Sequence, residues 1–96
     1  MSNAITQAQY YKGFPMIKSG GILCVGDPAD GAVLILTTLT TTQLMGEEIP
    51  ELIFLQIQNT DKNSSDCGTI IKQTDKTGLY NALDIGLIWL SRELKK

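Results

Sequence analysis

Leu79, Leu83, Leu87, Leu90 and Leu94 recur at steps of three and four, which at ~100° per residue line one face of a helix. The spacing predicts a helix over residues 78–95, with Asn81, Asp84, Ser91, Arg92 and Lys95 on its polar side. Asp75-Lys76-Thr77 reads as the turn into it, and Thr77 as its N-cap. Gly86 interrupts the stripe where glycine costs roughly 0.5–1 kcal/mol relative to alanine, so its expected use is close approach of the helix backbone to a strand. Ile85, Ile88 and Trp89 flank the stripe. Either Trp89 caps the edge of the core with its N–H at the surface, or the three form a contact surface for a second chain.

Upstream the period changes from helical to β. Residues 21–26 and 32–39 are rich in Ile, Leu and Val and are joined by Asp27-Pro28-Ala29-Asp30-Gly31, a turn sequence that predicts a hairpin. Neither strand alternates with polar residues. Ile22 and Cys24 oppose Leu23 and Val25, while Val33 and Ile35 oppose Leu34 and Leu36, so both faces are apolar. One face takes the helix; the other needs a folded-back segment, such as residues 5–17, or another subunit. The expected interaction surface runs through Leu34 and Leu36 into Thr38 and Thr40 of the threonine-rich stretch 37–42, whose branched side chains suit a strand. Residues 43–51 read as a loop or one helical turn ended by Pro50. Residues 52–58 alternate cleanly, with Ile53, Leu55 and Ile57 opposing Phe54, Gln56 and Gln58. After a polar loop at 59–68, the β pattern resumes at 69–73 and gives a second hairpin. Residues 16–18 form a short edge strand between Pro15 and Gly20-Gly21.

The pattern therefore predicts an α+β fold: an antiparallel sheet of about four or five strands, in two hairpins, packed against one C-terminal helix. Ninety-six residues make one such domain, over residues 15–96, with residues 1–14 as an N-terminal arm or short helix. Ser2-Asn3-Ala4 matches a tag-cleavage remnant and is assigned no role.

Composition sharpens the functional reading. The chain is 43% hydrophobic but only 19% charged, below the ~25% of ordinary soluble domains. The shortfall is local: between Lys18 and Glu47 the only charges are Asp27 and Asp30, and residues 31–46 carry none. A long uncharged stretch lies inside or faces a partner. Net charge is −2 and Arg92 is the one arginine, which argues against nucleic acid, whose phosphates require clustered cations. There is no histidine, which removes imidazole bases and metal ligands. No apolar leader stands at the N-terminus and no run approaches the ~18 residues of a membrane span, so the expected location is cytoplasmic and no membrane partner is expected. Cys24 and Cys67 are expected as free thiols there.

No candidate chemistry survives inspection. Asp61, Asn63 and Ser65 begin a calcium-loop spacing, but Asp66 stands where its turn glycine belongs and Lys72 where its bidentate glutamate belongs. Cys67 lacks an adjacent cation to activate it. Gly20, Gly21 and Gly26 match no phosphate-binding loop, and Glu47, Glu48 and Glu51 sit in a segment too polar for burial to shift them. No catalytic, cofactor or metal residues are expected. The expected function is a non-catalytic interaction or assembly protein that associates with itself or another protein, through Leu34, Leu36, Thr38, Thr40, Ile85, Ile88 and Trp89. The alternatives are a small inhibitor or decoy of a larger protein and, further off, a ligand-binding module or enzyme.

Overall fold

In the computed structural model, residues 9–95 are described. Strands β1 (Gln9–Tyr11), β2 (Phe14–Ser19), β3 (Ile22–Val25), β4 (Ala32–Leu44), β5 (Glu47–Asn59) and β6 (Ile70–Thr77) precede helix α1 (Leu79–Leu94). Each strand pairs antiparallel with its neighbours in sequence, giving one six-stranded meander in the order β1 to β6. The α+β expectation stands, with six strands instead of four or five. The additional strand is β1, made by a tight turn at Lys12-Gly13, where both residues have positive φ (51° and 87°). The described part of the segment 1–14 is thus a hairpin strand, not a helix; residues 1–8 lie outside the described residues.

The sheet has one covered face. Cross-strand partners share a side, so the register sets Val25, Leu34 and Ile57 beside one another, and Leu23, Leu36 and Leu55 in the next row. Over them lie Ala82, Leu83, Leu87 and Leu90 of α1, and together these residues form the buried core, with Leu79 and Leu94 packed at its margins. The leucine stripe therefore does what its spacing predicts. A Cβ added to Gly86 would stand 2.6 and 2.7 Å from the two methyl carbons of Leu34. Glycine is needed here because the helix backbone rests directly on β4. The described molecule is a slab of 47 × 37 × 21 Å, and its short dimension accommodates one helix layer on one sheet at the usual ~10 Å separation.

Three local expectations are corrected. Residues 43–51 are neither loop nor helical turn but the end of a long hairpin, turning through Met45-Gly46 at φ 53° and 84°. Pro50 did not end the element because this part of β5 has no third strand beyond it, the setting in which a strand proline is tolerated. The residues expected as a turn at 75–77 complete β6, and the N-cap is Gly78, not Thr77. Finally, residues 9–17 do not fold over the second face. They extend the sheet at its edge, where Tyr11, Phe14 and Met16 pack against the core on the helix side. Tyr11 Oη donates to Asp84 Oδ1 of α1 at 3.3 Å, and Lys12 Nζ lies 3.2 Å from the same oxygen.

Candidate interaction surface

The side of the sheet away from α1 follows from the same register. One row runs Ile17, Cys24, Ile35, Gln56 and Gln73 across β2 to β6; the next runs Ile22, Thr37, Phe54 and Asp75 across β3 to β6. Of these, only Asp75 at the outer strand is charged. Ile17 is 65% exposed and Ile22 47% exposed, whereas Cys24, Ile35, Thr37, Phe54 and Gln56 are half-buried by their neighbours within the sheet. Gln56 Nε2 donates to Gln73 Oε1 at 3.5 Å, linking the side chains of β5 and β6 across this face. Among the described residues, no element lies over this surface; α1, the one α-helix, rests on the other side.

The seven residues expected to form the interface are not brought together. Leu34 and Leu36 are buried beneath α1, at 0% and 1% exposure, and are not available to a partner. The choice of side was reversed: it is Ile35 and Thr37, one residue along the same strand, that face outward. Thr38 is half-buried, paired with Ile53 in the rows facing α1. Thr40 is exposed at a β-bulge, where its Oγ1 accepts from Leu52 N at 3.2 Å and lies 3.4 Å from Glu51 Oε1. Ile85 and Trp89 pack against the core, and the Lys72 ammonium sits 4.5 Å from the Trp89 ring centroid, capping it. Ile88 alone of the helix flank is well exposed.

A second feature projects from the sheet. Beyond Leu39 in β4 and Glu51 in β5, the long hairpin leaves both neighbours behind: β3 pairs with residues 34–37 of β4, and β6 with residues 52–58 of β5. Two opposing irregularities, Leu39 in one strand and Glu51 in the other, bend the ladder where the arm departs. Leu39, Leu44 and Met45 are exposed along it.

The calcium-like loop has a structural use. Asp61 Oδ1 accepts from Asn63 N at 3.0 Å, Asn59 Oδ1 from Asp61 N at 2.8 Å, and Ser64 Oγ from Asp66 N at 3.1 Å. These short-range bonds fold residues 59–68 into a compact connection. Thr60 Oγ1 donates to Pro28 O at 2.7 Å and ties that connection to the β3–β4 turn. Among the described residues, no three His, Cys, Asp or Glu side chains gather as metal ligands.

Both cysteines are free. Cys67 is exposed in the loop, whereas Cys24 lies in the open face, where burial raises its thiol pKa above the ordinary value. A raised pKa leaves less thiolate at neutral pH, and only the thiolate attacks. Iodoacetamide at pH 7.5 should therefore modify Cys67 before Cys24, as followed by peptide mass spectrometry. Preferential labelling of Cys24 would show that its strand is not packed as described.

Compared with known protein families, curated proteins and solved structures, the chain matches none.

Proposed function

We propose that this chain is a non-catalytic assembly protein that self-associates by stacking the open face of its sheet on the same face of a second copy. The observation that carries this reading is the uncharged double row from Ile17 to Gln56 and from Ile22 to Phe54, exposed on the side opposite α1. An antiparallel sheet that faces water normally alternates to polar residues on that side; β6 does so with Gln73 and Asp75, whereas β2, β3 and β4 present Ile17, Ile22, Cys24 and Ile35. Two like faces can stack without placing charges in the interface centre, because Asp75 lies at the rim. Five strands at ~4.8 Å spacing and two rows ~7 Å apart span on the order of 340 Å² per copy, or ~700 Å² for the pair. That is the size of a weak, concentration-dependent contact, below the ~1,000 Å² in total of a stable interface. The contact is isologous and closes on itself, as most homo-oligomers do.

The test is size-exclusion chromatography with light scattering. Ile17→Lys and Ile22→Lys should each halve the particle mass while leaving the thermal midpoint of folding near that of the parent, since both side chains are exposed in the single chain. Ile88→Lys, on the outer side of α1, should leave the mass unchanged. A parent that runs as a monomer at all concentrations, or face variants that keep the parent's mass, would sink the reading.

A further inference from the structure

Among the described residues, the sheet has four places where backbone N–H and C=O groups meet no further strand, and they are not protected alike. The β6 edge carries Lys72, Asp75 and Lys76, and its ladder is broken at Ile71 by a register shift. The β1–β2 edge is guarded by its brevity, since β1 has three residues, Gln9–Tyr11, and by Lys18 where β2 runs past it. The β5 side of the projecting arm carries Glu47, Glu48, Pro50 and Glu51. Charges, prolines and bulges are the devices by which edge strands avoid pairing with other chains. The fourth edge, the β4 side of the arm at residues 39–44, reads Leu-Thr-Thr-Thr-Gln-Leu and has none of these past its initial bulge. On that side, the last contact made by the described residues is Thr38 N donating to Gly21 O at 2.9 Å.

We infer that this unguarded edge pairs with the same edge of a second copy, antiparallel about a two-fold axis, to give a continuous β5-β4-β4-β5 ribbon. The charge distribution selects a second copy as the occupant. In any antiparallel register centred on Thr40, Thr41 or Thr42, uncharged residues oppose uncharged residues, and the threonines make the cross-strand pairs favoured on a pleated surface. The acidic residues of the arm lie on the outer strands of the ribbon, ~14 Å apart at the usual strand spacing. That exceeds the ~8 Å Debye length of physiological salt, so the two sets of acids repel little. At β6, self-pairing centred on Thr74 would set Lys72 against Lys76, and the register shift at Ile71 breaks the edge that other registers would use. An arm of two strands is at best marginally stable alone in water, and pairing makes it four.

The edge axis stands perpendicular to the sheet, whereas the axis relating stacked faces lies in its plane. The two contacts together build a closed tetramer when the axes intersect. The edge contact depends on its own hydrogen bonds, and it persists if the faces do not stack.

Thr41→Lys places a charge in the middle of the unguarded edge, whereas Glu48→Lys makes a larger charge change on the guarded strand, opposite Gln43. Light scattering should show Thr41→Lys with half the parent's mass and Glu48→Lys with the parent's mass. Combining Thr41→Lys with Ile22→Lys should give a monomer. In the parent, amide hydrogen exchange of residues 40–44 should slow as concentration rises, which reads the contact without any variant. A Thr41→Lys protein with the parent's mass, or exchange at 40–44 that is independent of concentration, would overturn the inference. A halved mass for Ile22→Lys alone, with none for Thr41→Lys, would leave the stacked face as the interface and remove the edge.

Discussion

Leu34→Ala should lower the unfolding free energy by about 2–5 kcal/mol, the usual range for a fully buried leucine cut back to its Cβ. Gly86→Ala should also destabilise, by about 1–3 kcal/mol, as overpacking does, even though alanine is the better helix former by ~1 kcal/mol. The reason is contact geometry: the added methyl would fall 2.6 Å from one Leu34 methyl carbon and 3.2 Å from its Cγ, so it meets the body of the side chain and not merely its tip. Leu34 is wholly buried, with no solvent-exposed side to move toward. In the double variant, the new methyl occupies space vacated by the leucine, and the combined loss should fall short of the two single losses by about 1–2 kcal/mol. Urea denaturation of the four proteins measures this coupling. Strict additivity would mean that α1 does not rest on β4 at this point. Leu34→Lys, by the same reasoning, should fail to fold, since it would bury an unpaired ammonium beneath the helix.

The helix and the strand positions were legible because their signals are local. A stripe at steps of three and four needs only the sequence around it, and Gly86 in that stripe announced the close approach that the contact with Leu34 explains. The long hairpin was not legible. Met-Gly and Lys-Gly are weak versions of the two-residue turn signal that Asn-Gly gives strongly, and Pro50 with three nearby glutamates argued against a strand. In a free arm those same residues cost little and guard an edge.

That one turn also decides which side of β4 the helix covers. A turn at Met45-Gly46 pairs Leu44 with Glu47 and, counting outward through two compensating irregularities, Leu36 with Leu55 and Leu34 with Ile57. The Ile53, Leu55 and Ile57 side of β5 is wholly apolar, while its other side carries Gln56 and Gln58. Leu34 and Leu36 therefore belong under the helix, and Ile35 and Thr37 belong with the glutamines on the exposed side. Both faces of β4 are apolar when read alone, so the strand itself holds no information about which one the helix takes. Only the partner strand breaks the tie, through a register that the turn sets.

Gly78→Ala should lower stability by about 1–3 kcal/mol, the range for a side chain forced into a sparsely populated backbone region. Gly78 links β6 to α1 in a single residue, at φ 90° and ψ 134°, and an added Cβ would meet nothing within 4 Å. The cost is therefore conformational and not steric, so Gly78→Leu should lose at least as much as Gly78→Ala. The backbone cannot relax out of the strain, because both sides are pinned: Gly78 N donates to Glu51 O at 2.7 Å, and Gly78 O accepts from Ala82 N at 3.1 Å. For a domain of this size, ~1 kcal/mol moves the thermal midpoint by roughly 4–8 °C, so the loss is easily read by calorimetry or circular dichroism. A loss below ~0.5 kcal/mol, typical of unremarkable surface changes, would show that the junction is soft. Because α1 and the open face lie on opposite sides of the sheet, the same variant should keep the parent's particle mass below its melting temperature. A reduced mass in the folded protein would mean that the helix layer and the stacking surface are coupled through the sheet, and that β4 does not separate them.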